Sequence, residues 1–127
     1  LGFEVLVMHS LNERFRVLIK GGVVIPEAAE IAMEAVRRLQ EKHGSFPDDK
    51  LNMFSTHLAS ALTRLDRRET IDPPPEELLA EMKASSGIQE AMQEVAWVER
   101  RWGRTLPDAE KQFLMIHYTS LLQEMEG

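Results

Sequence analysis

The stretch LNMFSTHLASALTRL, residues 51–65, decides the fold class. Leu51, Phe54, Leu58, Ala61 and Leu65 recur at steps of three and four, which puts them on one face of a helix. The spacing predicts a helix from about residue 49 to about residue 67. His57 stands at the edge of the apolar face, and Arg64, nearly two turns on, shares its side. Taken alone, a histidine in such a place most often fills space and makes one hydrogen bond.

The same periodicity extends in both directions. Upstream, Ser10 and Glu13 fit a capping box ahead of LNERFRVLI, where Leu11, Phe15 and Leu18 keep helical spacing and Gly21-Gly22 closes a short helix. FEVLV, residues 3–7, is the one strand-like run. Pro26 suits a first helical turn, Ala28, Ala32, Val36 and Leu39 mark a buried stripe, and His43 and Gly44 stop that helix, with His43 read as a residue of its C-terminal end. Downstream, the three prolines of ETIDPPPEE forbid a continuous helix. A short helix, EELLAEMKA, follows. Ser86 and Gln89 then fit a second capping box, and Ile88, Ala91, Met92, Val95 and Trp102 line the next helix up to Gly103. Pro107 opens the last one, with Asp108 and Glu110 in its first turn and Phe113, Ile116, Ser120 and Leu121 as its expected inner stripe. The chain is therefore expected to be all-α, a compact helical bundle of about five core helices with a short N-terminal helix ahead of them.

With 127 residues the chain fits one domain with a real core. Its net charge of −6 argues against direct nucleic-acid binding, which needs a segregated basic face. The clusters Arg64/Arg67/Arg68 and Arg100/Arg101/Arg104 fall at predicted helix ends, where cations complement the dipole. Without cysteine there are no disulfides, no thiolate chemistry and no cysteine-based zinc site, and the composition is compatible with the cytosol. No apolar run approaches the roughly 20 residues of a membrane span, so no membrane insertion is expected. The opening LGFEVLVMHS lacks the basic region and cleavage pattern of a signal peptide. Met8 offers a natural start, which would leave Leu1 to Val7 as residues added in cloning.

A second histidine, His117, sits beside the apolar stripe of the last helix, with Glu110 seven residues before it on the same face. Zinc bound by two histidines and Glu110 is a weak alternative, since no helix carries a His-x-x-x-His or Glu-x-x-His pair. No metal site or cofactor is expected. Nor is an enzyme: there is no phosphate loop, no nucleophile elbow, and Ser55, Thr56 and Ser60 are too close to His57 along one helix to form a triad. Trp97 and Trp102 read as packing.

Two motifs together carry a family resemblance. THLASALTR, with His57, Ala61 and Arg64, is followed in order by LPDAEKQFLMIHYTSLL, with Leu106, Pro107, Asp108, Glu110 and His117. Over about residues 24–125 the chain resembles the PTS regulation domain, or PRD, of bacterial regulators governed by the sugar phosphotransferase system. The resemblance implies a single PRD-like domain over residues 24–127, with residues 1–23 as an N-terminal extension. It implies a cytoplasmic regulatory module controlled by reversible histidine phosphorylation, with the phosphocarrier protein HPr or an EIIB component as donor. His57 and His117 are then the phospho-acceptor positions, and Arg64, Glu110 and Thr56 the supporting residues. Thr56 departs from the antiterminator members, which carry Asp directly before the first histidine. The resemblance also implies a homodimer. A single PRD without an RNA- or DNA-binding module is most similar to the small stand-alone members; an excised piece of a longer regulator and a scaffold that has lost phosphotransfer are the alternatives.

Overall fold

A computed structural model describes residues 2–124, apart from the side chains at positions 3 and 4. Leu1 and the residues after Glu124, which the expected domain spans include, lie outside the described residues. The described residues form six helices and no strand: α1 (Gly2–Lys20), α2 (Pro26–His43), α3 (Asp48–Asp66), α4 (Glu76–Ala84), α5 (Ile88–Trp102) and α6 (Asp108–Gln123). The all-α expectation holds. The chain divides into two helical units, residues 1–68 with α1 to α3 and residues 69–127 with α4 to α6. The expected boundary between residues 23 and 24 falls inside the first of these.

In the first unit α2 packs against both α1 and α3. Isolated helices of this length are marginal in water, so the buried faces supply most of their stability. Val7, Leu11 and Phe15 bury one stripe of α1. Ile31, Val36 and Leu39 do the same for α2, where Ala28, Ala32 and Ala35 add short side chains that let neighbouring backbones approach. Leu51, Phe54, Leu58 and Leu62 fill the α3 face. Leu65 is only half-buried, so the α3 stripe ends a turn earlier than expected.

The N-terminal helix is longer than the capping box implied. The buried stripe continues backward from Leu11 to Val7 at a four-residue step, so helix runs through Ser10 and takes in residues 3–7, the strand-like run. At its other end Gly22 adopts φ +74°, Val23 N–H donates to Leu18 O at 2.9 Å and Gly22 N–H to Ile19 O at 3.0 Å. That pair of bonds is a Schellman closure, and it needs the left-handed residue that glycine supplies cheaply. Arg67 Nη2 donates to Gly22 O at 2.6 Å, so a cation at the end of α3 also satisfies the carbonyl past the end of α1.

In the second unit α6 packs against both α4 and α5. Ala91, Val95, Val98 and Trp102 of α5 and Leu114, Tyr118, Leu121 and Leu122 of α6 are buried together with Met82 of α4. Three expectations are corrected here. Met92 is 52% exposed and does not belong to the α5 core face. The inner stripe of α6 runs through Glu110, Leu114, Tyr118 and Leu121, while Phe113 and Ile116 are half-buried and Ser120 is exposed. The N-cap of α5 is Gly87 rather than Ser86, and Ser85 Oγ accepts from Gly87 N–H at 3.1 Å. Ser85 is enclosed and must place its hydroxyl.

Candidate functional site

Residues of α3 build the first candidate site. Leu58 and Leu62 point into the core with no exposed surface, which turns the position one residue before Leu58 outward. His57 is accordingly exposed, and Thr56 beside it is half-buried. The helix lets Arg64 act on His57 from two turns away. The His57 imidazole is held below its ordinary value of 6.5, first by partial removal from water against the surrounding protein and second by the Arg64 charge. Both effects disfavour the protonated ring. At neutral pH His57 therefore presents a neutral imidazole with a lone pair on one nitrogen, at a position a partner can reach.

Thr56 has a partner absent from any reading of α3 alone. Arg14 of α1 donates from Nε to Thr56 Oγ1 at 3.1 Å. Ser55, the other hydroxyl adjacent in sequence, is fully buried and donates to Asn52 O at 3.2 Å, so it is held as a core residue. His43, the last residue of α2, lies edge-on to Phe46 with ring centroids 5.9 Å apart, which agrees with its reading as a helix-end residue.

The second candidate site lies on α6. His117 is half-buried, next to the fully buried Tyr118. Glu110 is 2% exposed, so it faces the core line rather than solvent. What holds the entry to α6 is a residue the sequence reading passed over. Glu99 Oε2 accepts from Leu106 N–H at 2.8 Å and pairs with Lys111 Nζ at 3.3 Å. The Leu106 hydrogen bond and, to a lesser extent, Lys111 hold the Glu99 carboxyl below its ordinary value. One carboxylate thus ties the end of α5 to Leu106 and to the first turn of α6, the segment that carries the second motif. Glu94, fully buried on α5, was also passed over. A single glutamate on a helix face has no pattern that reveals such roles. Arg104 stands 3.8 Å from the centre of the buried Trp102 ring, which fits a packing role for that tryptophan.

The structure therefore brings Arg64 to bear on His57 and joins Thr56 to Arg14 within the first unit. His117 and Glu110 belong to the second unit. No group of three or more potential metal ligands occurs among the described residues, and among these no helix is long and apolar enough to cross a membrane.

The exposed histidine on α3 and the Leu106–His117 segment both lie within one region that matches a known family of regulatory modules. The family model of the PRD domain matches residues 34–121. The chain belongs to the PRD domain family, whose members are regulatory modules of the phosphotransferase system rather than enzymes. It is similar to the uncharacterized protein YhfY of Escherichia coli strain K12, with 36% identity over 84 residues that cover 65% of this chain and 70% of the relative. No solved structure matches the chain.

Proposed function

We propose that the chain is a regulatory module whose interactions are switched by reversible phosphorylation of His57 and His117, with HPr or an EIIB component as donor. The observation that carries this reading is the combination at His57: an exposed ring whose protonated form is disfavoured. A nucleophile for phosphoryl transfer needs both properties. One ring nitrogen attacks phosphorus while the donor's P–N or P–S bond breaks. The electron pair leaves with the donor group, which takes up the proton released from the other ring nitrogen. No net charge is created, and the step runs backward to the donor as readily as the energies allow.

The outcome is electrostatic. A phosphoryl group adds roughly −2 charge. One unit pair at 4 Å contributes about 1 kcal/mol in water and about 4 kcal/mol at a protein surface of effective dielectric 20. Regulatory couplings are about 1–3 kcal/mol, so one or two such contacts suffice. Arg64 attracts a phosphoryl group on His57. Glu110 orients His117 or opposes a phosphate placed there. Residues 24–127 act as one PRD-like domain, the N-terminal residues 1–23 as an extension, and the working form is a cytoplasmic homodimer.

The test is to incubate the protein with phosphoenolpyruvate, enzyme I, HPr and candidate EIIB proteins and map acid-labile phosphate by mass spectrometry above neutral pH. Label at His57, His117 or both is expected, lost residue by residue in His57→Ala and His117→Ala. Absence of label with every donor rejects the proposal and favours a scaffold.

A further inference from the structure

Arg14 stands out among the cations of the first unit. It sits on α1 between Leu11 and Phe15, which are 0% and 1% exposed. Those two side chains pin its helix to the core, so the Arg14 backbone is held in place although its side chain is exposed. Nearby Arg16 has a carboxylate partner, Glu13, at 3.2 Å on the same helix. Arg14 has none among the described residues. Its Nε donates to the neutral hydroxyl of Thr56 at 3.1 Å, and its terminal nitrogens make no hydrogen bond or ion pair among the described residues. A guanidinium is a planar fork of five N–H donors suited to phosphate oxygens. Here most of that fork is unspent, directly beside the residue that precedes His57.

The alternatives open to this fork differ in strength. An exposed bond to a neutral hydroxyl is weak, whereas bonds to an ionised phosphoryl group are roughly twice as strong as neutral ones and can form in pairs. Arg14 also lies outside the PRD match, which begins at residue 34. A cation from the N-terminal helix is therefore added to a site that the domain itself furnishes with Arg64.

We propose that Arg14 is a phosphoryl-binding residue of the His57 site, transferring its guanidinium from Thr56 Oγ1 to the phosphoryl oxygens when His57 is modified. Helix α1 thereby reads the state of His57. This rests on His57 being a phospho-acceptor, and it assigns to Thr56 the task of holding Arg14 while the histidine is bare. Thr56 and Arg14 thus have opposite effects on the modified state, although they share one hydrogen bond.

That opposition is testable. The full chain and its Arg14→Ala, Arg14→Lys and Thr56→Val variants are labelled in two ways: with potassium phosphoramidate alone, where ammonia leaves and carries off the ring proton, and with phosphoenolpyruvate, enzyme I and HPr. The fraction of His57 labelled at a fixed time is read by mass spectrometry, with His117 label as an internal standard and a thermal melt as a check on folding. Arg14→Ala should lower His57 labelling about tenfold, the loss expected for one charge-assisted contact, and Arg14→Lys should recover part of it. Thr56→Val should leave it unchanged or raise it. If Arg14 only braces the fold, the first and last variants break the same bond and behave alike, and that result overturns the proposal, as does wild-type labelling in Arg14→Ala. Label from phosphoramidate but from no protein donor removes the donor assignment and leaves the Arg14 comparison intact. No label at His57 from either source overturns both.

Discussion

His57 joins two properties that rarely coincide: it is exposed, yet its charged form is disfavoured. The two causes are unequal, and this fixes what a substitution does. Partial loss of water is the larger and Arg64 the smaller. Arg64→Gln should therefore raise the His57 titration midpoint toward 6.5 without reaching it, as followed by the ring-proton NMR signal across pH 4–8. A midpoint that returns fully to 6.5 would mean the charge does everything. The sign for stability follows. The folded chain binds the His57 proton less readily than the unfolded chain, so this stabilising contribution is complete above pH 6.5 and is lost as pH falls toward the folded midpoint. Only part of this site was legible in the sequence. His57 and Arg64 share a helix, so a seven-residue spacing placed them together; Arg14 approaches from another helix, and no spacing reports that.

Among the elements, the legible ones had a clear polar side. The stripes of α2 and α3 could be read because charged residues mark their outer faces. α6 carries Phe113, Leu114, Met115, Ile116, Tyr118, Leu121 and Leu122 around much of its circumference. It is packed by α4 and α5, so its pattern did not select which apolar residues are innermost. The start of α1 was the weakest point, because a serine with a glutamate three residues on, as at Ser10 and Glu13, occurs inside helices too. The start of α2 shows what does the capping instead. Ile25, its N-cap residue, donates its N–H to Thr63 Oγ1 at 3.2 Å, and the same hydroxyl donates to Ala59 O at 2.8 Å. Thr63 is 2% exposed, so water cannot replace it. Thr63→Val keeps the shape and strands the Ile25 amide, at a cost of about 1–2 kcal/mol in denaturant unfolding. Thr63→Ser, which keeps the oxygen, should lose less. Equal losses would show that the methyl packing, not the hydroxyl, carries the position.

For the whole molecule, the question is what an added phosphate changes. The chain already carries −6, and each phosphoryl group adds roughly −2 more, so modification increases self-repulsion wherever two copies meet. The proposed working form is a homodimer, and α3 offers a place where dimerisation and modification would interfere. Met53 is 57% exposed and lies one helical turn from His57 on the same side of α3. Burying a methionine side chain contributes about 1.5–3 kcal/mol, comparable with the regulatory couplings that phosphate can exert. If a second copy covers this face, the phosphoryl group enters or borders the interface, and unmodified protein should dimerise more tightly than protein labelled at His57. Sedimentation over a concentration series should show the dimer dissociation constant rising between about fivefold and about 150-fold on labelling. Met53→Glu should weaken the unmodified dimer without lowering the melting temperature of the monomer, since the site is exposed. Equal dissociation constants for labelled and unlabelled protein would remove dimerisation as the output and leave the docking of another partner as the process that His57 controls.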